Sequence, residues 1–136
     1  MSVGYSGTPL EKKLGIKEGF TIRLIHAPDH YFDLFKSFPE KIKNTKDKNL
    51  HKDFIHFFTK EAAELNKEIP NLKNEIYQNG MIWISWPKKA SKVPTDITED
   101  VVRKIALDNG LVDIKVCAVD TTWSGLKLVI PVKDRK

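Results

Sequence analysis

The sequence predicts an α/β fold: a mainly parallel, five-stranded sheet layered between helices and ending in an antiparallel hairpin. Three observations carry this. The segments Asp53 to Phe58 and Met81 to Trp86 are apolar runs of strand length without alternation, as expected of strands covered on both faces. Stretches with helical periodicity stand between the strand-like runs, which calls for right-handed crossovers. The last two strand-like segments alternate and are joined by a short turn, so they should pair antiparallel.

The elements follow in order. Residues 1–7 hold Gly4 and Gly7 and show no periodicity, so they read as an arm. Thr8-Pro9-Leu10-Glu11 has the form of a capping box, with Thr8 as cap and Pro9 in the first turn, and Gly15 offers a left-handed stop to a short helix. Phe20 to His26 reads as the first strand, ended by Pro28. Tyr31, Phe32, Leu34, Phe35 and Phe38 recur at helical spacing up to the break at Pro39. Residues 40–52 form a polar connection, the expected place for mobility.

After the strand from Asp53, Thr59 is placed to cap a long helix whose stripe is Leu65, Ile69, Leu72 and Ile76. Pro70 is expected to kink that helix or to start a second one, and Asn79-Gly80 to close it. The central strand over residues 81–86 then breaks into a proline-bounded, lysine-rich loop ending at Asp96. Thr98 is placed to cap the next helix, with Glu99 and Asp100 in its first turn and Val101, Val102, Ile105 and Ala106 as its apolar stripe. Val112, Ile114, Val116 and Ala118 alternate against Asp113, Lys115 and Cys117, and Leu126, Leu128, Ile130 and Val132 share a face of the last strand. Residues 120–125 are the hairpin connection and 133–136 a charged tail.

With 136 residues the chain fits a single domain with its own core. The only cysteine, Cys117, cannot form an intramolecular disulfide and reads as a packing residue. There is no secretory leader pattern and no apolar run long enough to span a bilayer, so a cytoplasmic protein without a membrane partner is expected. The net charge of +5 is spread along the chain rather than gathered in a stripe, which argues for solubility over nucleic-acid binding.

In open α/β sheets the ligand crevice lies outside the carboxyl ends of the strands. The candidate ligand-binding residues at that edge are His26 and Asp29 after the first strand, Trp86, Lys88, Lys89 and Ser91 after the central strand, and Asp120, Trp123 and Ser124 in the hairpin turn. Lysines could neutralise an anion, the serine hydroxyls could donate to its oxygens, and a tryptophan could stack on a planar group. The competing expectation makes Trp86 and Trp123 core aromatics and the lysines a solvated rim. His26, Asp29 and His30 have metal-like spacing but lack further clustered ligands, and Ser91, His26 and Asp120 can be drawn as a triad without nucleophile-elbow glycines, so no metal or catalytic group is assigned. His51 and His56 read as a polar-edge and a satisfied core residue.

Element order and the segment Leu14-Gly15-Ile16-Lys17-Glu18-Gly19 resemble the Rossmann-like fold of S-adenosylmethionine-dependent methyltransferases, shortened, because that family also closes its sheet with an antiparallel hairpin. The family needs a glycine-rich turn after its first strand and an acidic residue after its second. This chain has His26-Ala27-Pro28-Asp29 at the first place and only the polar connection at the second. The segments Tyr5-Ser6-Gly7-Thr8-Pro9-Leu10, Trp86-Pro87-Lys88-Lys89-Ala90-Ser91, Thr98 to Arg103, Gly110 to Asp120 and Trp123 to Lys127 are similar to a family of short, mostly bacterial proteins known only as a domain of unknown function. That resemblance implies relatives and no chemistry. The expected function is therefore binding of an anionic or nucleotide-like ligand, or of a protein partner, at the carboxyl edge, with a degenerate or unusual enzyme related to the methyltransferases and a protein-interaction module as the alternatives; the cofactor and the oligomeric state are left open.

Overall fold

A computed structural model describes residues 7–136, and the expected arm lies outside the described residues apart from Gly7. Its α-helices are α1 (Leu10–Leu14), α2 (Ala62–Glu75) and α3 (Glu99–Asp108). Its strands are β1 (Thr21–Ile25), β2 (Lys43–Asn44), β3 (Lys52–Phe58), β4 (Ile76–Pro87), β5 (Val112–Ala118) and β6 (Trp123–Val129). They form one sheet in the order β2-β1-β3-β4-β6-β5, parallel from β2 to β4 and antiparallel at both β6 junctions.

The sixth strand, β2, comes from the polar connection. Its two residues pair with Thr21 and Ile22, and the N–H groups of Lys43 and of Thr45 just beyond it donate to the carbonyls of Phe20 and Ile22. The connection is thus partly tied to the sheet. The aromatic segment after β1 makes a single 3-10 turn, Tyr31–Leu34, and not a helix to Phe38. Its rings pack on one another, with Tyr31 edge-on to Phe35 and Phe38 beside both Phe32 and Phe35.

Helices α2 and α3 cover one face of the sheet. Leu65, Ile69 and Leu72 of α2 and Val102, Ile105 and Ala106 of α3 meet Ile55, Phe57, Ile82, Ile84, Trp86, Leu126 and Leu128 in one buried cluster. On the other face, Leu14, Ile16, Ile22, Phe54, Trp83 and Cys117 are buried under α1 and the loop carrying Phe35 and Phe38. The Trp83 indole donates to the Leu14 carbonyl at 2.8 Å, so the largest fully buried side chain is also polar-satisfied.

Several local signals are overridden. Glu11 does not close a capping box; its buried carboxylate accepts from the N–H groups of Lys36 and Ser37, fastening the loop to α1. Thr59 does not cap α2 but donates to Glu64 at 2.5 Å, while Ala62 N–H at the start of α2 is bonded by Asp96 from the end of the lysine loop. Helix α2 runs through Pro70, whose side chain is exposed, and ends at Glu75, so Ile76 belongs to β4. Asn79-Gly80 lies within β4, where the register jumps from Lys52↔Ile76 to Phe54↔Met81. A β-carbon on Gly80 would meet the Lys52 carbonyl at 2.9 Å, which accounts for glycine there.

At the far edge, Cys117 of β5 faces the core, whereas Ile114 and Val116 are each 55% exposed. Val116 lies opposite Leu126 on the helix side, but β5 is the edge strand of the sheet, and a bulge between Asp113 and Lys115 leaves Ile114 unpaired. Val132 likewise leaves the expected strand face for an exposed 3-10 turn after Pro131. Thr98 does cap α3, accepting from Val101 N–H at 3.2 Å. Among the described residues no helix is long and apolar enough to cross a membrane.

Candidate binding site at the carboxyl edge

The parallel strands β1, β3 and β4 end at Ile25, Phe58 and Pro87, and the antiparallel register brings Trp123 of β6 opposite Pro87 on that same edge. β5 runs antiparallel to β6, so its carboxyl end delivers Val119 and Asp120 there too. The Lys88 N–H donates to the Thr122 carbonyl at 2.8 Å, stitching the lysine loop to the hairpin turn. His26, Lys88 and Asp120 thus share one edge, although they do not converge on one point.

Two concavities divide this edge. The larger, of about 600 Å³, lies between the lysine loop and the amino end of α3, and is lined by Trp86, Lys88, Lys89, Lys92, Thr98 and Ser124 among others. Trp86 forms its floor, is 6% exposed, and belongs to the helix-face core. Its ring is therefore mainly structural. Ser91 is engaged elsewhere: its hydroxyl donates to the Lys88 carbonyl at 2.7 Å and accepts from Val93 N–H at 3.2 Å. These bonds fold a 3-10 turn that ends on Lys92 in left-handed backbone. Lys92, not singled out in the sequence, joins Lys88 and Lys89 only because of that turn.

The lysines of the groove take no part in the ion pairs of the described residues. The acidic residue on its rim, Glu99, is paired with Arg103. The groove is therefore a cationic surface next to the positive end of the α3 dipole.

The smaller concavity, of about 340 Å³, is lined by His26, Phe58, Thr59, Lys60, Glu61, Glu64 and Trp123. It opens between the ends of β1 and β3, where the strand order reverses direction. His26 has a φ of 56°, a left-handed conformation with a cost of about 1 kcal/mol for a residue with a side chain. Its Nδ1 lies 3.6 Å from Glu64, whose other oxygen accepts the Thr59 hydroxyl. Trp123 closes this crevice, edge-on to Phe58 at 5.1 Å. Asp29 is exposed, and His26 and His30 pair with Glu64 and Asp120 rather than with it. His30 instead turns to Asp120, so the three residues do not gather around a common point, and among the described residues no group of three metal-binding side chains exists.

Asp120 serves the turn. Its Oδ1 accepts from Thr122 and Trp123 N–H at 2.8 and 2.7 Å, and its Oδ2 faces His30 Nε2 at 2.9 Å. Burial would raise its pKa, but His30 and the two backbone donors outweigh that and hold the carboxyl below its ordinary range. Beneath the edge, His56 is fully buried between the Tyr31 hydroxyl at 3.0 Å and the Ser85 hydroxyl at 2.7 Å, and stacks on Phe58. Burial pushes its pKa down to about 3, so the imidazole is neutral, as a satisfied core residue should be.

No protein-family model and no curated protein matches the chain. Solved structures do. A SAM dependent methyltransferase from Aquifex aeolicus superposes with a TM-score of 0.63 and 18% identity over 89% of this chain and 87% of that one. Magnesium protoporphyrin IX methyltransferase from Synechocystis PCC 6803, solved with bound SAH, gives 0.59 and 12% identity over 88% and 77%. A structure described as a pericyclic reaction enzyme gives 0.58 and 10% identity over 90% and 47%. The chain therefore has the Rossmann-like fold of S-adenosylmethionine-dependent methyltransferases. At these identities the likeness is one of fold, and the third neighbour is described by a chemistry other than methyl transfer.

Proposed function

We propose that this chain is a degenerate relative of the methyltransferases that keeps their sheet and ligand edge, has lost the cofactor cradle, and holds an anionic, nucleotide-like small molecule in the lysine groove. The observation that carries the reading is the gathering of Lys88, Lys89 and Lys92 around one groove with Trp86 and Ser124, with the neighbouring Glu99 already neutralised by Arg103. Three ammonium groups beside a helix amino end favour a phosphorylated ligand, Ser124 supplies a hydroxyl donor, and Trp86 lends the groove an apolar floor.

The cofactor of the fold neighbours does not suit the residues present. A cradle for it needs glycine-rich backbone after β1, and here His26 occupies the left-handed position with its imidazole turned to Glu64. It also needs a carboxylate at the end of the adjacent strand. β2 pairs with Thr21 and Ile22 at the start of β1 and stops there, so no strand end stands beside His26 to present one.

A second reading, a cofactor-dependent enzyme of unusual type, draws on the smaller crevice, because it sits at the strand-order reversal and contains the His26, Glu64 and Thr59 contacts. Isothermal titration calorimetry separates the two. ADP should bind the full chain and lose at least tenfold in affinity in Lys88→Ala/Lys89→Ala, whereas S-adenosylmethionine should give no binding heat. Binding of S-adenosylmethionine that is lost in Glu64→Ala would establish the second reading instead. ADP binding that ignores the lysine substitutions, or no ADP binding at all, would remove the first.

A further inference from the structure

The antiparallel register sets Lys115 of β5 directly opposite Lys127 of β6. Residues so opposed point to one face with β-carbons about 5 Å apart, and like charges there are destabilising. The face is that of α1, because Lys127 is also the cross-strand neighbour of Trp83, whose indole bonds the Leu14 carbonyl. Lys115 Nζ donates to the Lys13 carbonyl at 2.9 Å. Lys127 Nζ lies over the left-handed turn of Gly15, where an added β-carbon would meet it at 3.7 Å. Lys17 follows that turn closely enough for its charge to act on Lys127.

The lysine ion pairs of the described residues are those of Lys41, Lys52 and Lys104, so Lys17, Lys115 and Lys127 have no carboxylate partner among them. Lys127 is half-buried yet has no hydrogen-bond acceptor among the described residues. Burial first, then the charges of Lys115 and Lys17, pushes its pKa down. The negative end of the five-residue α1 explains the seat of Lys115. It does not explain a second ammonium group, that of Lys127, set over the same turn.

We propose that Lys115 and Lys127 form an oxyanion site for a phosphate group on the α1 face of the sheet, beside the turn that leads into Lys17. A dianion would convert a repulsive cross-strand pair into a bridged one and would give Lys127 a charged acceptor. The site is separate from the lysine groove. Lys127 shares a sheet face with Trp83 while the groove is floored by Trp86 from the opposite face, and four strand positions, roughly 13 Å, separate Lys127 from Trp123. It stands on different residues from the proposed function and survives the failure of that reading.

The test is a titration of the full chain with inorganic phosphate at pH 7 and constant ionic strength, followed in amide ¹H–¹⁵N spectra. Saturable shifts are expected at Gly15, Lys17, Lys115 and Lys127, unchanged in Lys88→Ala/Lys89→Ala and at least fivefold weaker in affinity in Lys127→Met. Methionine keeps the apolar stem, and an otherwise unaltered spectrum shows that the fold is retained; Lys115→Met provides the same comparison at a more exposed position. Shifts that rise linearly without saturation, that sodium chloride alone reproduces, or that saturate with the wild-type affinity in both methionine variants overturn the proposal.

Discussion

His30 Nε2 stands 2.9 Å from Asp120 Oδ2, which ties the loop leaving β1 to the turn between β5 and β6, two segments ninety residues apart. The same carboxylate organises its own turn by accepting from the Thr122 and Trp123 N–H groups. The contact therefore joins the two ends of the carboxyl edge.

Asp120→Ala should cost about 1 kcal/mol at pH 7 once solvent screening of this half-exposed pair is allowed for. The Asp120 pKa is lower in the folded chain than in the unfolded one, so its contribution is full above the unfolded value and fades as pH falls through the folded value. Urea midpoints of wild type and variant should accordingly differ at pH 7 and draw together towards pH 2.5. A gap of constant size across that range would show that the charge of Asp120 is irrelevant.

His56 sets a second pH dependence. Its pKa is pushed down to about 3 in the fold, against an ordinary value near 6.5, so the unfolded chain binds the extra proton between those limits. Stability should fall as pH drops from 6.5 towards 3, by up to about 1.4 kcal/mol per pH unit from this group. His56→Gln, which can still bridge Tyr31 and Ser85, should be less stable at pH 7 and should lack this part of the slope. Parallel stability curves for the two proteins would refute the assignment.

Glu75, at the end of α2, is 5% exposed and bonds both Lys52 Nζ at 2.6 Å and Arg23 Nη1 at 2.7 Å. Lys52 is fully buried and also donates to the Asp47 carbonyl. Removing the anion leaves two inward-facing cations, so Glu75→Ala should cost about 3 kcal/mol or more. Lys52→Met leaves the Arg23 pair intact and should cost clearly less. Chemical denaturation of the two variants decides it, and an equal loss would mean that burial of charge is not what Glu75 relieves.

The strands β3 and β4 were legible in the sequence because both faces of each are buried, and an unbroken apolar run has no other simple use. Thr98 was legible as a cap because its partner, Val101 N–H, is three residues away. Thr59 and Glu11 have equally good local patterns, yet both turn to other partners, Glu64 and the 36–37 backbone, and only the packed loops supply those. The lysine groove was partly legible: Lys88 and Lys89 flank the strand end, but Lys92 joins them through a left-handed turn that no sequence signal announces.

What the sequence determined by itself is the alternation of elements, the antiparallel close of the sheet and the edge on which its loops gather. These follow from hydropathy periods and turn residues, which act over a few positions. What the tertiary structure alone decided is which side of β5 faces inward, the burial of Lys52, the capping of α2 by Asp96, and the opposition of Lys115 to Lys127. Each depends on contacts between segments distant in the chain. In β5 the bulge between Asp113 and Lys115 puts Asp113 opposite Leu128 on the helix side and Lys115 and Cys117 opposite Lys127 and Gly125 on the α1 side, because side chains alternate with a period of two and the register is set by the neighbouring strand.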